Sequence, residues 1–212
     1  MTWREMAIVA RRAHGAPRIE EKLMATVFIV CGSTGAGKTT YSIALAARQR
    51  AVRFSIDPWM TTLFHPDLTE FRLEWMLERI ARCEAQIWQV ADQLLALGTD
   101  VVLDLGFTTR DHREQHRRLA VAQGARAVVH YLDVPTEERR ARVLRRNEER
   151  DPKVFAFEVT GPMFDFIESR FEVPSTEELL GGEHISSVDP GDAEAYPSGD
   201  RITLLRVDVG ER

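Results

Sequence analysis

The chain has 212 residues, 44% of them hydrophobic, which is enough for one domain with a substantial core. Its net charge of −5 and isoelectric point near 5.7 do not favour a general nucleic-acid-binding surface. No apolar run reaches the roughly 18 residues that a membrane-spanning helix needs. The two cysteines have neither the spacing of a metal site nor a disulfide framework, so we expect a reducing, cytoplasmic compartment.

The first 23 residues differ in character from the rest of the chain. Several basic residues surround one short apolar run, 7–10, which falls short of the apolar region of a secretory signal. Met24 stands directly before the first predicted strand and is a candidate for the natural start of translation. We therefore expect an N-terminal extension over 1–23, which is mobile or forms a short amphipathic helix on the domain, and one domain over 24–212.

The stretch with the clearest chemical meaning is 32–39. It reads Gly-Ser-Thr-Gly-Ala-Gly-Lys-Thr and fits the phosphate-binding pattern G-x-x-x-x-G-K-[ST]. An apolar, β-branched run over 26–31 precedes it and helix formers over 40–47 follow it, which is the context that the motif requires. Glycines there let successive N–H groups face phosphate oxygens, and the helix N-terminus favours negative charge.

The motif predicts a nucleotide site with Mg²⁺. Lys38 is expected to reach the β- and γ-phosphates, and the Thr39 hydroxyl to ligate the metal. The predicted nucleotide-binding residues are Gly32, Ser33, Thr34, Gly35, Ala36, Gly37, Lys38, Thr39 and Thr40. No Asn-Lys-x-Asp pattern for guanine recognition occurs, so ATP is favoured over GTP.

Further along the chain, strand-like and helix-like segments alternate. The next predicted strands are 54–56, 101–104 and 127–132. The predicted helices are 69–97, 111–123 and a basic helix that starts at Thr136. Pro58 is expected to end the second strand at Asp57, since proline cannot continue a strand interior. Thr69 and Thr136 are predicted N-caps, and Gly98 is the predicted stop of the long helix.

The C-terminal part is less regular. Ser175 and Glu178 have the spacing of a capping box, 181–200 has the composition of an irregular loop, and 202–207 is a candidate last strand. The alternation of strands and helices predicts an α/β fold of the P-loop NTPase type. We expect three layers, with a mostly parallel central sheet of about five strands.

Two carboxylates follow predicted strands. Ligands of parallel sheets bind beyond the carboxyl ends of the strands, so Asp57 and Asp104 are expected beside the phosphate loop. Asp104 is predicted to hold Mg²⁺ with Thr39, and Asp57 to accept the proton of an attacking hydroxyl. The alternative is that each caps a turn at a strand end. Leu105 stands where ATPase motors usually carry an acid that activates water, which favours transfer to an acceptor over hydrolysis.

The helix after the fourth strand is strongly basic. Its arginines are Arg139, Arg140, Arg142, Arg145, Arg146 and Arg150. Arg142 and Arg146 are four residues apart and share a face, which suits a lid that stabilises the charge of phosphoryl transfer. Part of the cluster is expected to be solvated and paired with neighbouring glutamates.

His112 and His116 also stand four residues apart, a spacing that invites a metal-site interpretation. No third ligand is evident in the sequence, and arginines surround the pair. We therefore interpret the two histidines as part of a solvated helix face.

In their order along the chain, these motifs resemble those of the P-loop kinases of the AAA_33 and zeta-toxin-like group, which includes chloramphenicol phosphotransferase-like enzymes. The resemblance covers most of 25–180. It rests on the phosphate loop, Ser55-Ile56-Asp57 with His65-Pro66, Leu103-Asp104-Leu105-Gly106 with Thr109-Arg110, and Leu132-Asp133-Val134-Pro135 before Arg142-Val143 and Arg146-Asn147. It implies that Asp57 is the catalytic base and that Arg142 and Arg146 belong to a lid over the phosphates.

The chain also departs from the zeta-type toxins. Pro58-Trp59-Met60 stands where those toxins carry a basic residue after the second strand, and Asp104 stands where they carry a glutamate. Their sugar-nucleotide substrate is therefore not expected to carry over to this chain.

The sequence thus predicts a P-loop kinase-like ATP-binding domain over 24–212 that transfers the γ-phosphoryl group of ATP, with Mg²⁺, to a hydroxyl of a small molecule. The predicted catalytic residues are Lys38, Asp57, Arg142 and Arg146. Asp57, Trp59 and Arg110 are predicted to contact the acceptor. Two alternatives remain: an ATP-hydrolysing switch that acts on a protein partner, and a nucleic-acid end kinase, which the acidic composition disfavours. Neither a membrane nor a particular protein partner is indicated.

Overall fold

Five short strands form one sheet in the computed structural model, which describes residues 24–68, 72–150 and 158–186. The strands are β1 (Thr26–Cys31), β2 (Val52–Ser55), β3 (Val101–Asp104), β4 (Arg126–Leu132) and β5 (Glu183–Ile185). Their order across the sheet is β2-β3-β1-β4-β5, and every pairing is parallel. The predicted α/β class and the five-stranded parallel sheet are therefore confirmed, and the strand that leads into the phosphate loop is the central one.

Six α-helices connect or flank these strands. They are α1 (Lys38–Gln49), α2 (Ile56–Leu63), α3 (Leu73–Ala96), α4 (Arg110–Ala122), α5 (Thr136–Glu149) and α6 (Gly161–Glu168). A short 3₁₀ turn, His65–Asp67, stands between α2 and α3. None of the helices in the described part of the chain is long and apolar enough to cross a membrane.

The sheet lies between two apolar clusters, because side chains alternate along each strand. Ile29 of β1 belongs to the cluster that contains Ile87 of α3. Val30, the next residue along β1, belongs to the opposite cluster with Leu45 of α1. This alternation produces the three predicted layers, and the continuous apolar sequence of β1 follows from burial on both faces.

A helix replaces the predicted end of the second strand. β2 ends at Ser55, and Asp57 lies in the first turn of α2 instead of extending the strand. Pro58 is accommodated there because its missing N–H falls among the first-turn donors that have no partner within a helix. The acidic side chain of Asp57 also suits the positive end of the helix dipole.

Two predicted N-caps are not borne out. Thr136 is the first residue of α5, with Pro135 as the N-cap, and its hydroxyl accepts a hydrogen bond from Arg139 at 2.9 Å. The long helix α3 begins at Leu73 rather than near Thr69, which lies outside the described residues. Gly98 follows the helix with a φ of 72°, a left-handed conformation that glycine adopts readily, and the helix stops as predicted.

The segment predicted as an irregular loop, 181–200, contains a strand. Glu183–Ile185 forms β5 and pairs in parallel with the end of β4. The Ser175–Glu178 capping box is present, with both reciprocal hydrogen bonds, at 2.9 and 3.3 Å. The predicted strand 202–207 and the N-terminal extension 1–23 lie outside the described residues.

Candidate active site

The phosphate loop spans the gap between β1 and α1. Gly35 and Gly37 have φ values of 82° and 89°, which only glycine adopts without strain. The Lys38 ammonium donates to the carbonyl oxygens of Gly32 and Ser33 at 2.9 and 3.1 Å, so it lies across the loop. Burial lowers the pKa of Lys38, and the charges of Asp104 and Asp57 oppose that shift. Helix α1 begins at Lys38 itself, so its first N–H groups also face this loop.

The start of α5 packs directly on this loop. A Cβ atom added at Gly35 would lie 2.5 Å from the backbone oxygen of Arg139 and 3.0 Å from a Val143 methyl. A carbon atom cannot approach a backbone oxygen so closely without displacing it. Glycine at this position is therefore required both by its backbone angle and by the contact with α5.

We expect Gly35→Ala to lower the free energy of unfolding by about 2 kcal/mol or more, because it adds a backbone clash to the cost of a left-handed φ. The matched control is Gly106→Ala, since Gly106 has a φ of 74° and nothing within 4 Å of its added Cβ. That control isolates the conformational cost, which is about 1 kcal/mol. Urea denaturation of both variants provides the measurement, and equal losses would contradict the packing argument.

Arg139 ties the loop to two helices. Its guanidinium is buried and donates to Glu168 of α6 at 2.6 and 2.7 Å and to the carbonyl of Thr34 at 3.3 Å. Glu168 also accepts the hydroxyl of Ser33 at 2.5 Å. We call these four residues, Ser33, Thr34, Arg139 and Glu168, the Arg139 clamp. Hydrogen bonds from Arg139 lower the pKa of Glu168 to about 2, so its carboxylate is ionised at neutral pH.

Asp104 lies buried at the end of β3. Its Oδ2 accepts from the Arg53 guanidinium at 2.6 Å and from the hydroxyls of Ser42 and Ser55 at 3.2 and 3.3 Å. Among the described residues, all three of these bonds go to the same oxygen. The contacts fix the direction of the carboxylate.

Asp57 lies close enough to the phosphate loop to interact electrostatically with Lys38. Asp57 keeps a solvent-exposed surface, but the protein around it removes part of its hydration and so raises its pKa. The charge of Asp104 raises the pKa further, while Lys38 and Arg146 oppose the shift. A carboxylate with a raised pKa accepts a proton more readily than an ordinary one. The environment of Asp57 therefore suits a general base.

The two predicted lid arginines differ in their surroundings. Arg146 is half-buried and interacts electrostatically with Asp57, and its Nε has no hydrogen-bond partner among the described residues. Burial lowers the pKa of Arg146, and Asp57 opposes the shift. Arg142 instead pairs with Glu138 one turn earlier on the same helix. The structure thus brings Arg146 toward the carboxylate and leaves Arg142 in a surface pair.

Two of the three predicted acceptor-contact residues, Trp59 and Arg110, have identified packing or hydrogen-bond partners. Trp59 packs on the core, with its ring edge-on to Phe54 at 6.5 Å between centroids. Arg110 is exposed at the start of α4, and its backbone N–H donates to Glu172 at 2.6 Å.

The interpretation of the histidine pair as a solvated face is wrong. His116 is only 1% exposed, and Trp88 of α3 donates its indole N–H to Nδ1 of this ring at 2.8 Å. His112 lies 3.0 Å from a carboxylate oxygen of Glu84, also on α3. Both rings contact Phe107, with centroids 4.9 Å apart in each case. Helix α3 covers this face of α4, which the charged residues around the pair in sequence do not reveal.

Comparison with models of protein families shows which family has this architecture. Residues 27–174 match the model of AAA_33, described as an AAA domain. The chain belongs to the AAA_33 family. The matched range extends from β1 beyond α6, so it contains the phosphate loop, both carboxylates and the arginine helix. None of the curated protein sequences compared with the chain matches it.

Solved structures share the fold of this AAA_33 protein at low sequence identity. Kti12 of Chaetomium thermophilum in complex with ADP-AlF3 matches with a TM-score of 0.58 and 18% identity, over 80% of this chain and 94% of that one. APS kinase CysC of Mycobacterium tuberculosis, in complex with AMPPNP and APS, matches with a TM-score of 0.54 and 18% identity, over 81% and 93%. A chain of the Pnkp1/Rnl/Hen1 RNA repair complex matches at 0.51 and 18%, over 74% and 49%. These likenesses show a shared fold, and the family match confirms the predicted relationship to AAA_33.

Sequence reasoning missed three residues of the AAA_33 site. Arg53 orients Asp104, and Arg139 and Glu168 hold the loop. Arg53 carries a usable signal, because an arginine inside a short strand of a parallel sheet is unusual and needs a partner for its charge. Arg139 carries none, since it is one of several arginines in a helix and only the tertiary contacts distinguish it.

Proposed function

We propose that this AAA_33 protein is an ATP-dependent phosphotransferase that moves the γ-phosphoryl group to a hydroxyl of a small-molecule acceptor. The observation that carries the proposal is the convergence of Lys38, Asp57 and Arg146 beside the phosphate loop. Two cations and a carboxylate of raised pKa are the groups that transfer to a hydroxyl requires. The shared fold of P-loop kinases supports the nucleotide but does not choose the acceptor.

The residues present fit a bound polyphosphate. The half-buried Lys38 ammonium has only loop carbonyls as hydrogen-bond partners, and the buried Nε of Arg146 has no partner among the described residues. Buried donors without partners are costly, and phosphate oxygens would satisfy them. The loop amides and the N-terminus of α1 supply further donors for the same anion.

Mg²⁺ also fits this donor set. Thr39, at the start of α1, would supply a hydroxyl, and Asp104 would supply Oδ1, directly or through water. A Mg²⁺ ion held there would supply positive charge that offsets part of the negative charge of the phosphates. Oxygen ligands of this kind are those that Mg²⁺ prefers.

Each side chain then has a distinct task. Asp57 accepts the proton of the acceptor hydroxyl, while Lys38 and Arg146 stabilise the negative charge on the transferred group. Arg142 would join the lid only after leaving Glu138, and we assign it to the closed, nucleotide-bound form. Trp59 and Arg110 remain the proposed side-chain contacts of the acceptor.

A small acceptor is favoured over the alternatives. A nucleic-acid end kinase needs a basic surface, whereas the chain carries a net charge of −5. A switch that hydrolyses ATP needs a group that activates water, and Leu105 follows the strand-end aspartate where ATPase motors carry an acid. A carboxylate of raised pKa beside the phosphate loop can accept the proton of a hydroxyl acceptor. A protein that only binds ATP has no need of such a group.

ATP consumption with Mg²⁺ tests the proposal. We expect pools of small hydroxyl-bearing compounds to raise the rate, with at least one pool giving a rise of tenfold or more, about 1.4 kcal/mol in barrier. Lys38→Ala provides the blank, since it removes the cation on the phosphates. Consumption that is equal with and without every pool would favour the switch instead. Stimulation by oligonucleotides alone, lost steeply with added salt, would favour the end kinase.

A further inference from the structure

A second cluster of polar side chains lies between α3 and α4, and no catalytic step proposed above uses it. His112 and His116 project from α4 toward Glu84 of α3. One ring nitrogen from each histidine and a carboxylate oxygen of Glu84 all lie within 4.8 Å of one another. The glutamate that completes the cluster stands 28 positions before His112, so no third ligand is adjacent to the histidines in sequence.

Two atoms of this cluster are buried without a hydrogen bond. They are Nε2 of His116 and Oε1 of Glu84, among the described residues. The His116 side chain is 1% exposed and that of Glu84 is 14% exposed, so little water reaches these atoms to supply the missing hydrogen bonds. A buried ionised oxygen without a donor is costly, and a cation placed between the ligand atoms removes that cost.

Two of the three contacts between these ligand atoms lack the alignment of a hydrogen bond. Nε2 of His112 lies 3.0 Å from Oε1 of Glu84, and Nε2 of His116 lies 3.5 Å from Oε2. Only the contact between His112 and Oε2, at 3.2 Å, has hydrogen-bond geometry. Separations of about 3.0 to 3.5 Å are those of neighbouring ligands about 2.0 to 2.2 Å from a tetrahedral metal ion.

We propose that Glu84, His112 and His116 form a binding site for a divalent transition-metal ion of the Zn²⁺ type. Two imidazoles and one carboxylate favour Zn²⁺, Ni²⁺ or Cu²⁺ over Mg²⁺, so this ion is chemically distinct from the metal of the phosphate site. His112 is 23% exposed, which provides access for the ion and a coordination position for water. The ion would link α3 to α4, since it bonds to side chains of both.

The hydrogen bond from Trp88 to His116 competes with metal binding. Its indole N–H donates to Nδ1 of His116 at 2.8 Å, so in the metal-free protein that nitrogen is an acceptor and the ring proton resides on Nε2. Metal binding at Nε2 moves the proton to Nδ1, which ends the hydrogen bond from Trp88. Removal of the indole N–H should therefore tighten metal binding.

Calorimetric titration of the full chain with Zn²⁺ tests the site, after treatment with a chelator and without a histidine tag. We expect one Zn²⁺ per chain, with affinity at least about tenfold lower in His112→Asn and in Glu84→Gln, since even loss of a group that only orients a ligand costs that much. His184→Asn is the matched control, because His184 pairs with Asp133 at 2.9 Å and no third ligand stands beside them in the described part of the chain. Wild-type affinity in both ligand variants, or no saturable binding, would overturn the proposal.

Trp88→Phe provides the second arm and does not depend on removing a ligand. We expect Zn²⁺ to bind this variant more tightly than the wild type, and Zn²⁺ to change the tryptophan fluorescence of the wild type. Unchanged or weaker binding in Trp88→Phe would refute the assignment of Nε2 of His116 as a ligand. Both experiments are independent of the proposed phosphotransferase activity, because they measure binding alone.

Discussion

Replacing Asp57 by asparagine is expected to lower the acceptor-dependent kcat by about 10²–10⁴-fold, the usual contribution of a general base. The amide keeps the shape of the side chain but cannot accept the hydroxyl proton. ATP affinity should be retained, since Lys38 and the loop amides remain. Steady-state kinetics with a saturating acceptor, combined with nucleotide titration, separate the two effects.

The pH profile of the wild type provides a second readout of the same residue. Loss of hydration and Asp104 raise the pKa of Asp57, so the base is protonated, and inactive, over a wider acid range than an ordinary carboxylate. The rate should therefore rise with pH through a value above the ordinary range of aspartate. Asp67→Asn is the control, because Asp67 is a second aspartate, in the short turn after α2, to which no catalytic step is assigned. Full activity in Asp57→Asn would show that another group accepts the proton.

Replacing Arg139 by methionine is expected to lower the free energy of unfolding by about 2–3 kcal/mol. The change removes a buried guanidinium that donates to Glu168 and to the phosphate loop. A fully buried pair would cost about 3–5 kcal/mol, but the Glu168 side chain is 33% exposed and water recovers part of the loss. Because Ser33 and Thr34 belong to the Arg139 clamp, the dissociation constant for ATP should also rise.

Arg140→Met is the matched control for this variant. Arg140 is the next residue of the same helix and pairs with Asp165 at the surface, so its loss should not change stability measurably. Urea denaturation at several pH values tests whether the stability contributed by the pair of Arg139 and Glu168 changes with pH in the expected direction. The pKa of Glu168 is lowered from 4.5 to about 2, so its contribution is present above pH 4.5 and is lost as pH falls toward 2. That acid-dependent loss should shrink in Arg139→Met, and equal behaviour of the two variants would contradict the clamp.

The central part of the fold could be predicted because local signals agree there. β1 is apolar along its whole length, the glycine loop has a fixed spacing, and α1 contains helix formers. The fifth strand could not be predicted, because Glu183–Ile185 has only three residues and becomes a strand through pairing with β4. Helix α2 was missed for a different reason, since Pro58 is compatible with both a strand end and a first helical turn.

Some residues of the candidate site could also be predicted from local signals, and others could not. Lys38 and Asp104 follow from a motif and from the end of an apolar strand, and the structure places both beside the loop. Arg142 and Arg146 share a helix face and the same chemistry, yet Arg146 interacts electrostatically with Asp57 whereas Arg142 pairs with Glu138. The burial of His116 depends on how α3 crosses α4, which is a tertiary property that no local pattern encodes.

The strand order has a consequence for synthesis of the chain. β1 pairs with β3 and β4, whose first residues lie about 75 and 100 positions later, and it pairs with no strand that is close in sequence. A ribosome therefore releases the central strand long before either partner exists, and its two edges remain open during that time. The nucleotide site cannot take its final shape until β4 and the helix after it have been made. An ancillary factor that shields an apolar strand would thus act on a nascent chain of this protein through most of its translation.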